Sequence, residues 1–89
     1  MAERYTCPCC GYKTLDEKSS WQICHICGWE DNPLQSKNID ISGGANIPSL
    51  RQAQKNFIEF GACEKRMIHY TLKPDLDDIK DKDWKPISE

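Results

Sequence analysis

Cys7-Pro8-Cys9-Cys10-Gly11 and Cys24-His25-Ile26-Cys27-Gly28 decide how this chain is read. Each stretch is a CxxC pair followed by glycine, and thirteen residues separate the two pairs. A soft divalent ion in a structural site takes four ligands at tetrahedral angles, and each CxxC turn supplies two thiolates. Pro8 presets the backbone after the first ligand, so that main-chain N–H groups can turn toward sulfur. Gly11 and Gly28 stand where such a turn swings through a left-handed conformation that a side chain penalises. The expectation is one zinc ion held by Cys7, Cys10, Cys24 and Cys27.

Outward from the pairs, the first third reads as a β-hairpin carrying two metal turns, the layout of a zinc ribbon. Arg4-Tyr5-Thr6 enters the first turn and Tyr12-Lys13-Thr14-Leu15 leaves it; Asp16 to Ser20 is a polar turn, and Trp21-Gln22-Ile23 enters the second. Tyr5, Tyr12, Trp21 and Trp29 lie beside the cysteines as cover for a small core. Residues 32–48 are rich in turn formers and read as a loop, with Ile39 and Ile41 as a short edge strand. Its glycines lack the lysine and hydroxyl residue of a phosphate loop.

Ser49-Leu50-Arg51-Gln52 is a capping box. Leu50, Ala53, Phe57 and Phe60 recur at helical spacing as a stripe for the ribbon, and Gly61 is placed to stop the helix. Arg66 to Leu72 carries β-formers with Ile68, Tyr70 and Leu72 on one face, which predicts a late strand. Lys73 to Glu89 is a charged tail with Pro74, Leu76, Ile79 and Trp84 as anchors. The expected whole is a small α+β metal-bound domain over residues 1–89: zinc ribbon 1–35, loop 36–48, helix 49–61, late strand and tail 62–89.

Composition explains the need for an ion. Eighty-nine residues, 29% charged and 38% hydrophobic, bury only a modest core. Structural zinc contributes on the order of 10–16 kcal/mol to small modules, as much as an ordinary domain's whole net stability. Six cysteines with no export signal ahead of Cys7 point to a reducing cytoplasm, and no apolar run approaches the ~20 residues of a membrane span. The formal charge is −2. Four thiolates and a divalent ion bring it to about −4, which disfavours nucleic acid and anionic lipid as default partners.

The assembled blocks resemble the cysteine-rich CPCC family of small bacterial proteins. The likeness rests on Tyr5-Thr6-Cys7-Pro8-Cys9-Cys10-Gly11-Tyr12, on Ile23-Cys24 to Cys27 with Trp29-Glu30-Asp31, on Gly43-Gly44-Ala45-Asn46, and on Ser49 to Phe57 with Phe60-Gly61-Ala62. The resemblance implies a metal-binding cysteine module without a settled catalytic activity. Its association with small neighbours of toxins implies a protein-binding role. Gly28 stands where the family pattern has a larger residue.

Other candidates have bland readings. Cys9 would form a cramped chelate with Cys7 and reads as a bystander thiol, and Cys63 reads as a small buried hydrophobe. His25 is expected on the surface, and His69 is expected to be structural. Asp75-Leu76-Asp77-Asp78 fails as a calcium loop, because Lys80 and Pro86 stand where glycine and glutamate are required.

Three function classes follow. The first is a non-enzymatic, zinc-dependent protein-interaction module, of the size of a small inhibitor or immunity-like factor, engaging its partner through Trp29, Glu30 and Asp31. The second is a nucleic-acid-binding ribbon using Lys13, Lys18, Arg51, Lys55, Lys65 and Arg66. The third is a four-cysteine iron or thiol redox protein.

Overall fold

The computed structural model describes residues 4–17 and 20–87. Of the polar turn and the basic patch, Lys18 and Ser19 fall outside these residues. The architecture is a small α+β fold with one two-stranded antiparallel sheet and one main helix.

Strands β1 (Tyr5–Thr6) and β2 (Lys13–Leu15) pair Tyr5 with Leu15 and Thr6 with Lys13, with an irregularity between the pairs. The expected hairpin runs from the first turn to the second. In the structure each CxxC turn instead closes its own ladder: β1 with β2 around the first, and an isolated Ile23–Glu30 bridge around the second. Strands this short follow from the spacing, because most of each arm is consumed by the turn itself.

After the second turn, α1 (Pro33–Lys37) forms where the turn-rich composition suggests a loop. The Asn32 side chain accepts from the Leu34 N–H, and Pro33 fits the first helical position, which needs no N–H donor. The helix carries Gln35, which is fully buried. The Gln35 amide N donates to the carbonyls of Ile41, Asn46 and Pro48, while its oxygen accepts from the main chain and side chain of Asn46. Residues 38–48 therefore wrap around one buried amide, and Ile39 and Ile41 form no strand.

Helix α2 (Leu50–Phe60) matches its expected span within a residue at each end. The Ser49 hydroxyl accepts from the Gln52 N–H, and the Gly61 N–H donates to the Phe57 carbonyl. Leu50 and Ala53 are buried in the core and Phe57 packs against it. Gln54 is buried too, because its amide donates to the Pro8 carbonyl at 2.8 Å. Ser49→Ala should lower stability by about 1 kcal/mol through loss of the cap. Urea unfolding checks this, and an unchanged midpoint would show that water replaces the hydroxyl without cost.

The predicted late strand is a 3₁₀ helix, Lys65–Tyr70. A strand needs a ladder partner, and this segment instead wedges Met67 against Gly28. His69, Ile68 and Tyr70 are exposed. Phe57, Phe60, Ile68, Leu72 and Pro74 line a groove of about 220 Å³ between this helix and the end of α2. Phe60 thus faces the groove and not the ribbon. The tail then turns back, pairing Lys80 with Tyr12 in an antiparallel bridge.

Candidate metal centre

The two CxxC turns are built alike. In the first, the Cys7 N–H donates to the Tyr12 carbonyl (2.8 Å) and the Gly11 N–H to the Cys7 carbonyl (2.9 Å). In the second, Cys24 donates to Trp29 (2.9 Å) and Gly28 to Cys24 (2.8 Å). Each bonded position of the first turn has its counterpart seventeen residues later, with Trp29 in place of Tyr12, so the centre is an internal repeat of one knuckle. Gly11 and Gly28 have φ of +81° and +84°, as the repeated turn requires. Each is also tightly covered: an added Cβ would lie 2.5 Å from the Trp84 ring at Gly11 and 2.9 Å from Met67 at Gly28. The absence of a larger residue at position 28 has a steric cause.

Facing each other, the knuckles bring the Sγ atoms of Cys7, Cys10, Cys24 and Cys27 within 4.8 Å of one another, all buried. Cys7 and Cys27 sulfurs are 3.5 Å apart, and Cys10 and Cys24 sulfurs 3.7 Å. A tetrahedron with metal–sulfur bonds of ~2.3 Å has edges of about 3.8 Å, so the donor set fits one tetrahedral ion. No cysteine in this group is in a disulfide.

The electrostatics of the sulfurs point the same way. Hydrogen bonds from Cys10, Cys27 and Cys7 hold the Cys24 thiol far below its ordinary range, against burial, and the Thr14 hydroxyl adds another at 3.0 Å. Burial, followed by the neighbouring sulfurs, pushes Cys7 and Cys27 well up. One thiolate is stabilised at the expense of the others, and a divalent cation is what allows buried sulfurs to ionise together.

Cys9 and Cys63 are buried and are not in the group of four, although the Cys9 thiol reaches the Cys27 sulfur. Burial first, then the nearby Cys9, pushes the Cys63 thiol up to about 12, so it is an inert thiol at neutral pH. His25 is half-buried, not simply on the surface: its Nε2 lies 3.0 Å from Asp78 Oδ1. The Asp78 carboxyl is lowered by an Asp75 backbone hydrogen bond and then by His25.

The sequence model described as Cysteine-rich CPCC matches residues 5–78. The chain belongs to the cysteine-rich CPCC family. No curated protein matches it. Within the CPCC blocks, the two knuckles supply the sulfurs, Asn46 locks onto Gln35, and α2 covers the first knuckle.

The Trp29-Glu30-Asp31 surface is corrected. Trp29 is fully buried in the core and Asp31 is 5% exposed, so neither offers the free face expected of them. Trp29 follows Gly28, and the turn that aims Cys27 at the centre also aims this ring inward, while the Trp29 main-chain N–H approaches the Cys27 sulfur at 3.4 Å. Glu30 is half-buried beside Asn46. Of the basic residues, Arg51 pairs with Asp40 and Arg66 with Glu64.

Trp84 is the tail anchor that the sequence suggests, held on the first knuckle, whereas sequence reasoning missed Thr14, Gln54 and Lys80. Thr14 lies four residues past Cys10, near enough for its hydroxyl to reach Cys24. The tail's sequence marks Trp84 as an anchor but not where it docks, because the partners of Lys80 and Trp84 are about seventy residues away. No helix among the described residues is long and apolar enough to cross a membrane.

Proposed function

We propose that this CPCC chain is a structural zinc-ribbon module that works by binding another protein. The carrying observation is the closed donor set: four buried cysteine sulfurs leave no coordination position for a substrate, which is the pattern of a structural ion and not of a catalytic one. Zinc suits four thiolates with no demand for redox chemistry. The groove of Phe57, Phe60, Ile68 and Leu72 supports the binding half of the reading, with Leu72 64% exposed and Ile68 42% exposed. It replaces the buried Trp29 as the apolar anchor for a partner.

Elemental analysis of purified protein should find one zinc per chain, colourless. An iron-containing, coloured product would favour the electron-transfer reading. A photo-crosslinker at Leu72 should trap a single protein in source cells and lose it with Phe60→Asp; trapping that ignores this change would remove the groove from the proposal.

A further inference from the structure

Residues 79–87 lie across the first knuckle and hold it by its main chain. The Trp84 indole N–H donates to the Pro8 carbonyl (2.9 Å), the Asp81 N–H to Gly11 (2.8 Å), and the Lys80 ammonium to Cys10 (3.0 Å). The Lys13 N–H donates to Ile79, the Thr6 hydroxyl to Asp81, and the Trp84 ring seals Gly11. Lys80 sits 4.8 Å from the ring centres of both Tyr12 and Trp84, so its charge is fixed beside the cysteines by two aromatic faces. The second knuckle is held differently, by Met67 against Gly28 and by bonds from Cys63 and Leu72. Those residues belong to the family match, which ends at 78; the segment over the first knuckle lies beyond it.

We propose that residues 79–87 are a clasp that sets how fast the ion leaves and how fast Cys7 and Cys10 are reached from solvent. The metal half rests on the zinc reading above. A closed four-thiolate ion exchanges only when an incoming ligand displaces a sulfur, and that requires one knuckle to swing away. The carbonyls of Pro8, Cys10 and Gly11 are all tied to the clasp. Lys82, Asp83, Lys85 and Pro86 of the clasp are exposed, while Ile87 packs against the core and its N–H donates to the Gln54 side chain of α2 at 2.7 Å, so the stretch 80–85 opens locally about an anchored end. Lys80 adds a charge effect, because four thiolates around a divalent ion carry a net charge of about −2 that an adjacent ammonium stabilises.

The test uses the full chain. After zinc content is measured, release to an excess chromogenic chelator is timed for wild type, Trp84→Ala, Lys80→Met and Lys80→Arg. Alkylation of each cysteine is followed in parallel by mass spectrometry. Trp84→Ala should release zinc roughly tenfold faster, the change that ~1.4 kcal/mol produces. Lys80→Met should accelerate it less, and Lys80→Arg should restore it. Stoichiometry should be unchanged, and the gain in alkylation should fall on Cys7 and Cys10 ahead of Cys24 and Cys27. Wild-type release rates in all variants would overturn the clasp, as would an equal gain at all four cysteines, which marks general loosening. If Trp84→Ala does not fold, the Lys80 pair decides. If wild type carries no zinc, the metal reading fails by itself and the alkylation order alone decides the clasp.

Discussion

Cys24→Ser should leave the chain without its metal ion and without a cooperative melting transition. Cys24 is one of the four sulfurs of the donor set and also accepts from the Thr14 hydroxyl at 3.0 Å, so its loss removes a ligand that the fold holds in place. The remaining three sulfurs would hold an ion with one position open to water, at a large cost in affinity. Structural zinc contributes on the order of 10–16 kcal/mol, against about 5–15 kcal/mol for a typical net stability. The effect should spread to α2, because Leu50 and Ala53 share one buried cluster with the cysteines. Native mass spectrometry and circular dichroism check both halves. One tightly held zinc with normal helix content in Cys24→Ser would sink the assignment, whereas Cys9→Ser and Cys63→Ser should each keep the ion.

Trp29→Ala should destabilise the fold by about 3–5 kcal/mol, the range for truncating a buried aromatic ring. Its side chain is among the largest that are fully buried, and it directly follows the second knuckle. Trp29→Phe should cost much less, since it keeps a ring and removes an indole N–H that has no acceptor among the described residues. Urea midpoints for the pair separate packing from surface roles. If Trp29→Ala melts like wild type, the ring is not core, and an exposed anchor becomes the better account of it.

The knuckles and α2 were legible because their signals are local. Ligand spacing, a glycine after each pair, a serine cap and a helical stripe each act within a few residues. What was not legible depended on distant partners. Trp29 reads both as cover for the core and, beside two acids, as an anchor for a partner, and the knuckle's curvature turns it inward and decides for the core. Gln35 reads as an ordinary polar residue in a turn-rich stretch, yet it is buried because the loop over 41–48 supplies acceptors for its amide. The alternation of Ile68, Tyr70 and Leu72 describes a strand well enough, but the segment has no ladder partner among the described residues, and 3₁₀ bonding satisfies the backbone locally.

The tail's return to the first knuckle has a consequence for the order in which the molecule assembles. Thr6 meets Asp81 across 75 residues and Pro8 meets Trp84 across 76, whereas Cys7 and Cys27 are 20 apart. Closure entropy grows by about 0.6 kcal/mol per doubling of loop length, so joining residues 6–8 to residues 81–84 from the unfolded state costs on the order of 1 kcal/mol more than joining the knuckles. Contacts of such long sequence separation form late. During synthesis the four sulfurs therefore emerge, meet and can take up an ion while residues 79–87 are still being made. Residues 79–87 then close over four sulfurs that have already met.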